Sequence, residues 1–239
     1  GGNLDELKME LERAMDAVVD IHIEHDLIVD KFIGDAIMSF RGGDLVTGGP
    51  RDHAERVVRA TLHGHNALTA LDNPYFREMK VGGASGSDAL IGTFGTSKRL
   101  SYTILGDRVN LAARLEAACN SLGLFTLFCS QTRALCDKAD DVVWRKVGAM
   151  KVKGKQQIEE VYEAFLKDTA GDMAWRDRFE AALLDYNAQR FAEARTGFAE
   201  VEGMRGRSDG PSEVYIAMCD DALKSGVPDD WSPVLTPGK

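Results

Sequence analysis

The stretch from Arg99 to Glu116, RLSYTILGDRVNLAARLE, restricts the fold more than any other part of the chain. Leu100 to Leu105 reads as a strand, and Gly106 with Asp107 supplies a turn and a helix N-cap. Val109, Leu111, Ala112, Ala113, Leu115 and Ala118 then give a helix that is apolar over a wide arc. Asn110 and Arg114 stand four residues apart, so an amide and a guanidinium share one helical face. No carboxylate lies three or four residues from Arg114 to form a local ion pair. Two polar groups are therefore left facing outward together, either as a solvated face or as part of a ligand site.

Upstream, Leu4, Leu7, Leu11, Met15, Val18 and Val19 recur at helical spacing, which predicts a long amphipathic helix from Leu4 to Glu24. His22 and His25 near its end, with no third ligand close by, read as a surface pair. Leu27 to Phe32 and Ala36 to Phe40 read as two strands around a tight turn at Gly34 and Asp35. Strict alternation places Lys31 on a strand face with Leu27, Val29 and Ile33, where a lysine either reaches out to solvent or meets a ligand. A helix is expected from Arg51 to Leu71, with His53, His63 and His65 solvated. A glycine-rich hairpin is expected from Met79 to Gly86 and Ala89 to Phe94, turning at Ser87 and Asp88.

Beyond the central helix, Leu124 to Cys129 reads as a strand, Gln131 to Cys136 as a short helix and Val142 to Lys146 as a strand. From Met150, a period of two puts Lys151, Lys153 and Lys155 on one face, as edge protection or as a phosphate-facing row. Leu166 to Asp172 reads as a linker. After it come two helical stripes, Trp175, Phe179, Leu183, Tyr186 and then Phe191, Ala194, Phe198, Val201, and a further helix near Ser212 to Leu223. The spacing of Ala194 and Phe198 resembles that of tetratricopeptide repeats. About one and a half such units fall short of the roughly three needed for independent stability, so this tail is expected to pack on the preceding domain or on a partner.

A net charge of −9 and a pI near 5.1 argue against a general nucleic-acid binder, which needs a basic face. Cys119, Cys129, Cys136 and Cys219 form no C-x-x-C pair, so the expected setting is reduced and cytoplasmic. No apolar run approaches the length of a membrane span, and no N-terminal signal is visible.

Tyr102, Gly106, Val109, Asn110, Ala112 and Arg114 match a pattern close to Y-x-x-x-G-x-x-V-N-x-A-x-R, Val29 to Met38 (VDKFIGDAIM) contains K-x-x-G-D, and Val152 to Lys155 reads VKGK. Three motifs in this order, over about Leu4 to Phe165, resemble the class III nucleotidyl cyclases, and within them a bacterial adenylate cyclase subgroup. The resemblance implies an α+β fold: a ferredoxin-like catalytic domain with an antiparallel sheet and flanking helices over residues 1–166, followed by a small all-α tail over 172–239. It implies conversion of ATP to cyclic AMP and pyrophosphate at the interface of a head-to-tail homodimer, with two magnesium or manganese ions per site. At the matched positions it implies that Asp35 holds metal, Lys31 and Thr103 read adenine, Asn110 orients the ribose, Arg114 meets the α-phosphate and Lys153 the outer phosphates. The family's first metal aspartate, in a strand reading F-x-D-I-x-x-F-T, has no match in this sequence, so that strand is expected to be missing from the sheet. A guanylate cyclase and a non-catalytic nucleotide-binding or dimerisation regulator are the alternatives, and a sensory or partner domain upstream or at the tail is a further expectation.

Overall fold

A computed structural model describes residues 4–71, 73, 76, 79–151 and 158–236. Helix α1 (Leu4–Glu24) leads into a hairpin of β1 (Ile28–Ile33) and β2 (Ala36–Phe40), whose two-residue turn is set by Gly34 at φ +65°. Helix α2 (Pro50–Ala70) follows. Next come β3 (Val81–Gly83), β4 (Ala89–Thr96), β5 (Arg99–Gly106) and helix α3 (Asp107–Leu122). The chain continues through β6 (Thr126–Cys129), α4 (Ser130–Leu135), β7 (Val142–Lys151) and β8 (Ile158–Leu166). The tail comprises a single turn, α5 (Lys167–Ala170), then α6 (Ala174–Asn187), α7 (Phe191–Arg205), α8 (Gly210–Ser225) and β9 (Val234–Leu235).

The main sheet has the order β3-β6-β8-β7-β9 and is mixed, not antiparallel as expected: β3 runs parallel to β6 and β9 parallel to β7. Strand β3 reaches β6 through a long crossover holding the β4–β5 hairpin and α3, the kind of connection a parallel pair requires. The expected Met79–Phe94 hairpin is therefore wrong. Strand β4 pairs with β5 instead, Thr96 opposite Arg99 across a two-residue loop.

Period-two burial sorts the sheet residues between two cores. On one face, Phe128, Val142, Trp144, Ala164 and Leu166 pack with Ala54, Val58 and Leu62 of α2. On the other, Leu127, Cys129, Val147, Met150 and Val161 share a core with the buried side of α3 and with the aromatic residues of α6 to α8. The tail is thus fused to the sheet. Tyr215 of α8 donates a hydrogen bond to the Val147 carbonyl at 3.1 Å, and the backbone N–H of Lys146 donates to Glu180 of α6 at 2.8 Å. The tail is also not all-α, because β9 closes the sheet beside β7. Helices α6 and α7 pack through Phe179 and Phe198, with ring centroids 5.1 Å apart.

The histidines of α1 and α2 are not the solvated groups that composition suggests. His25 Nε2, in the turn just after α1, and His63 Nδ1 of α2 are hydrogen-bonded at 2.9 Å, and the His65 and Phe125 ring centroids are 3.7 Å apart. His22 is partly buried, and its Nδ1 finds no hydrogen-bond partner among the described residues.

Candidate nucleotide site

Two hairpins and one helix carry Lys31, Asp35, Thr103, Asn110 and Arg114. In β1 the register against β2 slips by one residue: Val29 faces Ser39, yet Lys31 faces Met38, so Asp30 is the extra residue of a β-bulge. The bulge breaks the alternation that would have put Lys31 on the face of Leu27. Leu27 is buried, while Lys31 is half exposed and Ile33 exposed. It also turns the Asp30 side chain inward, leaving it 3% exposed, where its Oδ1 lies 3.5 Å from Lys31 Nζ.

The Asp30 carboxylate bridges to the second hairpin. Thr103 of β5 is buried and donates its hydroxyl proton to Asp30 Oδ2. Lys31 and Thr103, 72 positions apart in sequence, are brought together through this one carboxylate. Opposite Thr103 in the ladder stands Gly92, so no cross-strand side chain crowds the hydroxyl.

Helix α3 continues directly from β5 through Gly106 at φ +131°, where a Cβ would stand 2.6 Å from the Asp88 carbonyl oxygen and only glycine fits. Gly106 is itself the N-cap position, with no side-chain cap bond, and Asp107 is the first helical residue; the expected cap is displaced by one. Leu111, Leu115, Ala118, Cys119 and Leu122 bury one side of α3. Asn110 is exposed and Arg114 half-buried on the other side, and neither side chain takes part in a hydrogen bond or ion pair among the described residues. Their donors are available to a ligand.

Asp35 sits on the exposed β1–β2 turn, unlinked to the other candidates by any hydrogen bond or ion pair among the described residues. No group of three or more metal-ligating side chains occurs among those residues. Magnesium keeps several waters and is commonly held by one or two carboxylates together with substrate phosphates, so a free, exposed carboxylate fits an ion that arrives with a nucleotide. Lys153 lies outside the described residues, as does Lys155; Lys151 ends β7 and does not begin a separate strand. Asp30 was missed by sequence reasoning, because a bulge leaves no mark in a periodicity count.

No helix among the described residues is long and apolar enough to cross a membrane. No family model matches the chain. The chain is 35% identical to the terminal-differentiation-specific adenylate cyclase of Dictyostelium discoideum over 208 residues, which is 82% of this chain and 9% of that protein. That span is too long to be confined to the first 166 residues, so the similarity extends into the tail. Adenylate cyclase 1 of Rhizobium meliloti is 29% identical over 68% of this chain and 24% of its own length. The chain thus spans less than a quarter of either relative. Among solved structures, the adenylyl cyclase CyaB from P. aeruginosa superposes with a TM-score of 0.58 at 26% identity, covering 68% of this chain and 83% of that one. The chain carries the fold of the class III adenylyl and guanylyl cyclase catalytic domain, with sequence similarity to adenylate cyclases.

Proposed function

We propose that this chain is the catalytic region of an adenylate cyclase, converting ATP to 3′,5′-cyclic AMP and pyrophosphate. One observation carries the reading: Lys31 and Thr103, from separate hairpins, meet at Asp30, and the helix that follows directly on the Thr103 strand presents Asn110 and Arg114 without partners among the described residues. Lysine offers a donor and the Thr103 oxygen an acceptor, which suits the N1 acceptor and N6 amino donor on the edge of adenine.

Cyclisation requires the ribose 3′-hydroxyl to attack the α-phosphorus while pyrophosphate leaves in line, and charge gathers on the phosphate oxygens. Arg114 supplies a fixed guanidinium for the α-phosphate oxygens, Asn110 holds the ribose in line, and Lys153 takes the outer phosphates. These donors need no reorganisation as charge develops, which is how such groups lower a barrier. Asp35 holds a magnesium or manganese ion, which supplies charge neutralisation at the phosphates when bound. The catalytic unit is a homodimer with Asp35 from one chain and Lys31, Thr103, Asn110 and Arg114 from the other. Exposed apolar side chains on both hairpins, among them Phe32, Ile33, Leu90 and Leu100, support an association face.

The test is formation of cyclic AMP and cyclic GMP from ATP and GTP by the full-length protein with manganese. Cyclic AMP is the expected product. Cyclic GMP as the main product makes the protein a guanylate cyclase, and nucleotide binding without either product makes it a regulator.

A further inference from the structure

The β-bulge in β1 gives Asp30 a position that nothing in the motif K-x-x-G-D requires. Both its carboxylate oxygens are occupied, Oδ2 by the Thr103 hydroxyl and Oδ1 by the Lys31 ammonium at 3.5 Å. An ionised carboxylate only accepts hydrogen bonds, whereas a hydroxyl donates one and accepts two. The Thr103 proton is therefore directed at Asp30, and what the Thr103 hydroxyl has left for a further partner is lone pairs alone.

Resting on the assignment of Lys31 and Thr103 to the base, we infer that Asp30 is the positioning residue that sets purine choice, acting through the Thr103 hydroxyl. With Asp30 in place the edge reads donor from Lys31 and acceptor from Thr103. Adenine answers with its N1 lone pair and N6 amino hydrogens. A 6-oxopurine presents N1–H and an O6 acceptor instead, so it meets Lys31 donor to donor and Thr103 acceptor to acceptor. If the partner at residue 30 were able to donate, the Thr103 proton would be freed to turn toward O6 and the discrimination at that atom would weaken. Threonine alone does not specify the base. The carboxylate behind it does.

The experiment compares ATP with inosine triphosphate, which differs only at the N1 and C6 positions of the ring. Competition binding and turnover are measured on the full-length protein. The amide of Asp30→Asn can donate to Thr103, so the ATP-to-inosine-triphosphate preference is expected to fall about tenfold, the effect of one misdirected hydrogen bond. Thr103→Val is expected to lose the preference to a similar extent, Thr103→Ser to retain it, and Asp30→Asn added to Thr103→Val to change nothing further. Asp30→Ser repeats the reading with different packing at the bulge. A folded Asp30→Asn or Asp30→Ser protein with undiminished preference, or an equal drop on the Thr103→Val background, overturns the role of Asp30. No preference in the wild-type protein, or a preference untouched by Thr103→Val, overturns the base assignment itself and the inference with it.

Discussion

Arg145 of β7 donates through Nη1 to both carboxylate oxygens of Asp209, at 2.8 and 2.9 Å, and both side chains are fully buried. The same guanidinium bonds Glu163 of β8 through Nε at 3.0 Å and lies over the rings of Trp175 and Phe179. Asp209 is also the N-cap of α8, accepting from the backbone N–H of Ser212 at 3.2 Å and from its hydroxyl at 2.7 Å. Burial pushes the Asp209 carboxyl up, but Arg145, Ser212 and Arg205 together pull it below the ordinary carboxylate range. One ionic cluster thus ties two strands of the sheet to three tail helices.

Removing one partner of a buried pair leaves an uncompensated charge, so Asp209→Ala is expected to cost about 3–5 kcal/mol. Denaturant unfolding should remain a single transition, since sheet and tail share one core. A loss below about 1 kcal/mol, or a separate early transition of the tail, would show that the tail is an independent unit.

Stability should also depend on pH through the histidines. Burial first, and then the neighbouring His25, lower the pKa of His22 from 6.5 to about 4. Burial, with His63, Arg56 and Arg59, lowers that of His25, and burial with Lys80 lowers that of His65. The unfolded chain therefore binds protons that the folded chain excludes. The contribution is fully present above pH 6.5 and is lost as pH falls through the window from 6.5 to about 4. His22→Leu removes the titrating group together with an Nδ1 that has no partner among the described residues, and a plot of Tm against pH should become shallower in that window. An unchanged slope would mean that His22 is solvated.

The elements that periodicity shows best are those that formed. The helices α1, α2 and α3 and the β1–β2 hairpin lie within a few residues of the expected bounds, because the helices carry apolar faces of regular period and the hairpin and α3 have a glycine, Gly34 and Gly106, where the backbone turns. Pairing across distance was not legible. Nothing in Val81 to Gly83 distinguishes a parallel partner at β6 from a hairpin partner at β4, and the two-residue β9 has no pattern at all. Arg145 sits within VVWRKV, where a lone arginine gives no hint of Asp209, 64 positions away. At the candidate site, Lys31, Thr103, Asn110 and Arg114 stood out by motif, whereas Asp30 became visible only when the slipped register showed which way its carboxylate turns.

Arg114→Ala and Asn110→Ala should each lower kcat about a hundredfold or more, by analogy with deleting one transition-state donor. Because neither side chain has an internal partner among the described residues, Tm should stay within about a degree or two of wild type. Full activity in either folded variant would return that residue to a solvated helix face.

The most direct measurement of a site shared between two chains is complementation in the full-length protein. Asp35→Ala and Arg114→Ala each damage both sites of their own homodimer. When the two proteins are mixed, each heterodimer should hold one doubly damaged site and one intact site. With random exchange about half the dimers are mixed, so cyclic AMP formation should return to about a quarter of the wild-type rate. A mixture that stays inactive after subunit exchange has been confirmed would place the carboxylate and the guanidinium in the same site of one chain, and would contradict the shared site proposed here.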